Sequence, residues 1–411
     1  MPVDDLEELA SESMDKLEEA ALGFATDSSP TLERLGLSYF ERRSARRGAV
    51  VEEDEVHILN EDEKRQLAKI QRGVVIRGAL IGAGSGGAAA LASYFIIGGA
   101  ETSTLGQDLA VIGITIIATL IEIALLYVDA LRSVHELAVV AGIDLAGARN
   151  APEGSDQRAV ATALARTAME LPTPPENHFG INPHRRVSPW RLFLIAIVYK
   201  LKITVTNFLM KMLIRRAGGR VVLREYLYFV DIPVTAAWDG VVAWLVIRDA
   251  RICAMGPSAA KVLVERIHRE HPELTPLGKE MLLRAAAATV VRREGLHPNL
   301  VALLRELEKL CGRIADVEGP PVDDDAHFLE NLKNLRPDEV QAVLEVVAVA
   351  AVIDGKVARG DRKLVADMLA VTGRNVSLSG LKELKGHFLA GRDLTVDRLQ
   401  SAIGWFQTPT A

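Results

Sequence analysis

The stretch RGALIGAGSGGAAALASY, residues 77–94, sets Gly82, Gly84 and Gly87 in the order G-x-G-x-x-G, the spacing with which a glycine turn admits a pyrophosphate. Ser85 lies in the same stretch, in Ala83-Gly84-Ser85-Gly86-Gly87, which approaches a nucleophile elbow but lacks its first glycine. Glu122 stands inside the apolar run LAVIGITIIATLIEIALLYV, where a carboxylate must find a partner or take up a proton. Asp354 and Asp361 flank the turn DGKVARGD and could offer oxygen to a divalent cation. His268 and His271, beside Glu265 and Glu270, have a spacing open to a metal, with no third ligand fixed. Cys253 and Cys311 stand far apart without C-x-x-C spacing, which indicates neither a disulfide scaffold nor a zinc knuckle.

The elements around the glycines decide among these chemistries. A dinucleotide fold needs a strand, the glycine turn, a helix of several turns and a second strand. Here AAALASY gives under two helical turns before FIIGG resumes, and the following apolar run is too long for a strand. Helical spacing fits better. Gly78, Gly82, Gly86 and Ala90 fall four apart, which stacks them on one helix face as the small-xxx-small pattern of closely packed membrane helices. Residues 78–100 carry no charge, and about 20 such residues span the hydrocarbon of a bilayer. Residues 109–128 form a second apolar run, broken only by Glu122. Lys64, Arg65, Lys69, Arg72 and Arg77 precede the first run, Arg132 follows the second, and the link ETSTLGQD has no Lys or Arg. The positive-inside rule then places both ends in the cytoplasm. A hydrophobic helix pair in a soluble core is the alternative. Arg77 and Glu122 lie toward the same end of the two helices and are expected to pair. Thr115, Thr119, Glu122 and Asp129 share a face that forms a polar seam toward partner helices.

A net charge of −6 gives no global basic field, so nucleic acid is not an expected partner. The 5% aromatic content and 32 glycines suit closely packed alanine-rich helices more than a β fold. The acidic start, MPVDDLEELASESMDKLEE, has no basic n-region or apolar h-region, so no cleaved signal peptide is expected. The chain divides into residues 1–58, an acidic helix and mobile linker; 59–150, a membrane hairpin with flanking cytoplasmic helices; 151–256, an amphipathic, membrane-associated helical region; and 257–411, an all-helical domain. Asn60 caps the helix that enters the first apolar run, with Glu63 closing a capping box. Residues 190–248 combine apolar runs with Lys200, Lys202, Lys211, Asp231 and Asp239 around the basic turn IRRAGGRVVLR. Amphipathic helices on the cytoplasmic leaflet are favoured there, and a soluble core or two further spans stay open.

The last domain contains an internal match. Residues 281–312, shifted by 61, align without gaps on residues 342–373, each copy reading helix, tight turn, helix and a terminal glycine. Two such hairpins can close one four-helix core. The first copy carries Arg293 and Leu300 where the second has Asp354 and Asp361, and Lys356, Ala358 and Arg359 occupy places a calcium loop would give to oxygen donors.

The run VLEVVAVAAVIDGKVARGDRKLVADMLAVTG resembles TerB-like domains, the helical modules of tellurite-resistance and related stress proteins; Asp354, Gly355 and Asp361 match their D-G turn and following acid. That resemblance implies an all-α module with metal-binding acids. GALIGAGSGGAAA, ALRSVHELAVVAGIDL and FVDIPVTAAWDGVVAWLVIRDARICAMG are similar to the EcsC family of bacterial membrane-associated proteins, which implies no catalytic residues. The whole reads as an all-α protein: a transmembrane helical hairpin, amphipathic helices, and a C-terminal domain of two pseudo-repeated helix hairpins. The expected role is a non-enzymatic scaffold or regulator of the cytoplasmic membrane, acting in envelope or metal stress. Its partners would be the bilayer, a cytoplasmic protein, and a second copy or membrane protein on the glycine face. It needs no cofactor beyond a possible divalent cation at Asp354 and Asp361. The alternatives are an oligomeric transport or channel accessory and a membrane-bound hydrolase.

Overall fold

The structure is a computed structural model that describes residues 31–46, 56–97, 104–152, 155–171, 179, 181, 227–293, 296–314, 319–372 and 379–403. The acidic helix expected in residues 1–25 and the segment 190–226 lie outside these. Every regular element among the described residues is helical. In chain order they are α1 (31–44), α2 (Glu61–Ile97), α3 (Leu105–Val140), α4 (Asp156–Ala168), α5 (Leu227–Glu270), α6 (Pro276–Arg293), α7 (Pro298–Cys311), α8 (Asp325–Asn331), α9 (Pro337–Ala350), α10 (Arg359–Val371), α11 (Ser379–Leu389) and α12 (Val396–Ile403). A 3₁₀ turn, Leu332–Asn334, follows α8.

The helix starts follow local rules. The Asn60 side-chain oxygen accepts from the backbone N–H of Asp62 and Glu63, each at 2.9 Å, and the Glu63 carboxylate accepts from Asn60 N–H at 2.8 Å. This is the expected capping box, and α2 runs from it unbroken through the first apolar stretch. Thr104 and Gln107 make the same arrangement at the start of α3. Ser155 caps α4, and α7 opens on His297 with Pro298 in its first turn. The helices α2 and α3 are the two among the described residues that are long and apolar enough to cross a membrane.

α5 is the spine. Its first half lies along α2, and its second half packs on α4, α7 and α9. Forty-four residues at 1.5 Å each make it about 66 Å long. Pro233 and Pro257 lie inside it. Pro257 has no N–H to offer the preceding turn, which leaves carbonyls there short of donors. Asn299, fully buried, donates its side-chain amide to the carbonyls of Ile252 (2.8 Å) and Ile353 (2.7 Å), joining α5, α7 and the turn after α9. Gly256 makes the space: a Cβ there would stand 2.0 Å from the Asn299 amide carbon. The domain boundary expected at 256/257 therefore falls inside a continuous helix. Proline reads as a break in the sequence, but here α5 continues through Pro257, with the Asn299 amide bonded to the nearby Ile252 carbonyl.

The core lies below the apolar helices. α6 and α9 sit at its centre, buried on nearly every face, with Met281, Leu282, Ala285–Ala288, Val290 and Val291 against Val343, Val346, Val347 and Ala350. Leu300, Leu303, Leu304 and Leu307 of α7, with Leu364, Val365 and Met368 of α10, close it. Arg284, fully buried among them, donates to Glu280 (2.6 Å) and to the carbonyls of Pro320 and Pro321, both at 2.8 Å. α1 is held to α3 by Arg43–Glu136 at 3.1 Å and by Ser44 with His135 at 3.0 Å. Glu33 of α1 pairs with Arg166 of α4 at 2.6 Å.

Two buried histidines make the fold acid-sensitive. Burial pushes both His57 and His297 down to about 4; His57 bonds the Ser258 hydroxyl at 2.8 Å and His297 caps α7. Below the unfolded value near 6.5 the unfolded chain binds protons that the folded chain refuses, so stability falls as pH drops from about 7 toward 4. Each histidine contributes a loss of about 2 kcal/mol by pH 5. Unfolding midpoints of the native chain and of His57→Asn, measured in detergent between pH 7.5 and 5, check this: the variant loses part of the slope. Equal slopes would remove His57 as a cause.

Candidate functional site

α2, α3 and the first half of α5 form an antiparallel group jacketed by apolar side chains. On α3, Ile114, Ile116, Ile117, Leu120, Ile121, Ile123, Leu125 and Val128 are all exposed, Leu120 by 62%. On α2, Ile76, Leu80, Leu91, Tyr94 and Phe95 are exposed, and on α5 Val241 and Trp244. Almost none of the apolar stretch of α3 is buried, whereas the core helix of a water-soluble domain is mostly covered.

The glycine face of α2 is buried against α5. Gly78, Gly82, Gly86 and Ala90 are all covered. A Cβ on Gly82 would lie 2.6 Å from the Thr235 carbonyl oxygen and 2.5 Å from the Asp239 carboxylate; one on Gly78 would lie 2.9 Å from the Asp239 carbonyl oxygen. That closeness lets the Thr235 hydroxyl donate to the Gly82 carbonyl at 2.8 Å. The face expected to receive a second copy or a membrane partner is thus taken by a helix of the same chain. The nearest atoms to Gly78 and Gly82 belong to α5. The smallest groove goes to the helix whose backbone comes closest. Ser85, on the same helix, is no exposed nucleophile: it lies inside α2 with its hydroxyl donated to Glu122.

Between α2 and α3 two polar contacts stand about two turns apart. Ser85 bonds the Glu122 carboxylate, which is 5% exposed. Two turns nearer the start of α2, Arg77 donates to Asp129 at 2.5 Å and to Ser133 at 2.9 Å. The expected Arg77–Glu122 pair is therefore replaced by Arg77–Asp129 and Ser85–Glu122. The register of the antiparallel pair sets this, because Glu122 lies level with Ser85, eight residues beyond Arg77. Thr115 turns its hydroxyl to the Val111 carbonyl of its own helix at 2.8 Å, so it adds nothing across the seam.

The acids of the C-terminal turn have a different partner from the one expected. Arg293, 6% exposed, forms an ion pair with Asp354 and a two-pronged one with Asp361, both prongs at 2.8 Å, and also reaches the Lys356 carbonyl at 3.3 Å. Burial opposes its charge, but Asp361 and Asp354 outweigh that and raise its pKa. An arginine of fixed charge thus stands between the two carboxylates proposed as cation ligands. Nearby, Arg292 pairs with Asp325 (2.7 Å) and Asp367 (3.0 Å). His268 is exposed at the end of α5, and among the described residues no group of three or more His, Cys, Asp or Glu side chains is placed to hold a metal ion. Cys253 lies 4.0 Å from His297 Nε2, but burial pushes its thiol up to about 11, which keeps it protonated and unreactive.

Sequence reasoning missed Thr235 and Asp239 as partners of the glycine face, and Ser85 as the partner of Glu122. One signal was present: Thr235, Asp239 and Ala243 fall four apart, as do Gly78 and Gly82, so the two rows can interlock.

Gly82→Leu is expected to destabilise the chain strongly or abolish its folding in detergent. Gly84→Leu, on a position with nothing within 4 Å, changes the melting temperature little. Equal effects would detach the glycine face from α5. In a double-mutant cycle, Arg77→Leu and Asp129→Leu are non-additive, whereas Arg77→Leu and Glu122→Gln add; coupling of Arg77 to Glu122 instead would reverse the register described above. No protein-family model, curated protein or solved structure matches this chain.

Proposed function

We propose that this chain is a non-enzymatic protein of the cytoplasmic membrane. α2 and α3 cross the bilayer and anchor a cytoplasmic helical module that binds partner proteins. The observation that carries this reading is the exposed apolar jacket of α3: Ile117, Leu120 and Ile121, each more than half exposed, have a favourable solvent in acyl chains and a costly one in water. A helix of this length covers the hydrocarbon thickness with residues to spare. Lys69 and Arg72 at the base of α2 and Arg132 at the base of α3 are exposed, which supports cytoplasmic ends for both.

The cytoplasmic module is read as TerB-like, built from a duplicated helix hairpin. Its supports are the D-G turn and the helix starts: Pro276 and Pro337, and Pro298 and Arg359, stand at the spacing of the internal sequence match. In this reading Arg293 of one copy neutralises Asp354 and Asp361 of the other, so the turn serves as a clasp between copies. The polar groups capable of chemistry are engaged with each other, which favours a binding role over catalysis. Occupation of the glycine face by α5 favours an anchor complete within one chain over an oligomeric channel accessory assembled through that face.

Alkaline carbonate extraction of membranes from expressing cells tests the anchor. The chain is expected to remain in the pellet, and to keep its termini protected from protease added outside intact spheroplasts. Release into the supernatant without detergent would overturn the reading.

A further inference from the structure

We infer that the first half of α5 is a third intramembrane helix, presenting the stripe Pro233, Ala237, Val241 and Trp244 to lipid acyl chains. This rests on the membrane reading of α2 and α3 and extends it to a segment in which Asp231, Pro233 and Asp239 obscure the signal.

Three observations carry it. The first is depth. α5 runs antiparallel to α2, with Ala243 against Gly78, Thr235 against Gly82 and Ile232 within reach of Gly87. If α2 lies in the bilayer from Gly78 onward, then residues 232–243 of α5 lie at the same level. The second is the division of faces. Thr235 and Asp239 are buried toward the glycines of α2, whereas Pro233, Ala237, Val241 and Trp244 are exposed and fall three or four apart, which makes one continuous apolar stripe. The Asp239 carboxylate is buried, and among the described side chains from Ile232 to Trp244 the exposed ones carry no charge, the opposite of a helix that faces water. The third is that the change from apolar to basic comes at one level on all three helices. Ile76 gives way to Arg72 on α2, Val128 to Arg132 on α3, and Trp244 to Arg248 on α5. Arg77–Asp129 and the Gly78–Ala243 contact lie at that same level. Arg248 places its guanidinium 5.7 Å from the centre of the Trp244 ring, an aromatic and cationic pair suited to the headgroup layer.

The occupant of the stripe is therefore lipid: its residues lie at the depth of the exposed apolar side chains of α2, and Arg248, which also meets Asp249 and the Gly355 carbonyl, marks its lower edge. The test uses the full chain reconstituted in phosphatidylcholine–phosphatidylglycerol vesicles doped with a lipid carrying a diazirine on its acyl chain. After irradiation, adducts are mapped by proteolysis and mass spectrometry. Adducts are expected on Ala237, Val241 and Trp244 together with Ile117 and Ile121 of α3, and none on Glu265 or His268. Adducts on α3 alone would overturn the inference while leaving the membrane anchor intact, whether water, a second copy or another protein covers the stripe. Adducts on neither helix would overturn the anchor as well.

Discussion

Gly78 and Gly82 take away the side chains that would otherwise hold α2 and α5 apart, and the position of almost every other element follows from the contact they allow. With the two backbones that close, a hydroxyl on one helix reaches a carbonyl on the other, and the Asp239 side chain is enclosed at the level of Gly82. The attraction is short-ranged packing and one directed hydrogen bond, the kind of contact that works where lipid supplies no hydrophobic drive between helices. α5 then continues as one rod into the helical core, where α4, α7 and α9 pack on it.

Much of this was legible because it is local. Caps at Asn60, Thr104 and Ser155, the apolar runs and the spacing of small residues each depend on a few neighbouring residues, and they set helix starts and faces directly. The partners of Arg77 and Glu122 were not legible, because the choice between Asp129 and Ser85 depends on how far two helices slide past each other. A slide of two turns exchanges every partner without changing either helix. α5 was hidden for a different reason. Asp231, Pro233, Asp239 and Pro257 are signals of loops and breaks in water, whereas the Asp239 carboxylate is enclosed against Gly82 of a helix distant in sequence, a circumstance no local pattern carries.

The same holds for the charged groups of the C-terminal half. Arg293 against Asp354 and Asp361, Arg292 against Asp325 and Asp367, Arg266 against Glu345 at 3.3 Å, and Arg284 against two carbonyls are all largely shielded from water. Such pairs add little net stability once the cost of removing charge from water is counted, but leaving one partner alone is expensive. Their effect is to reject alternative packings of alanine- and valine-rich helices that would otherwise fit several ways. Arg293 stands in the sequence alignment opposite Asp354, and in space the same charge difference joins the two segments.

The unbroken course of α5 also bears on how the molecule can be divided. A soluble fragment started at Pro257 would lose Ile252 through Met255, which are buried in the core, and would strip Asn299 of one of its two acceptors. It would therefore be prone to clump for reasons unrelated to lipid. A usable cut keeps the helix at least from Ile247 onward, so that the rod which lies along α2 and the one that threads the helical core stay a single piece.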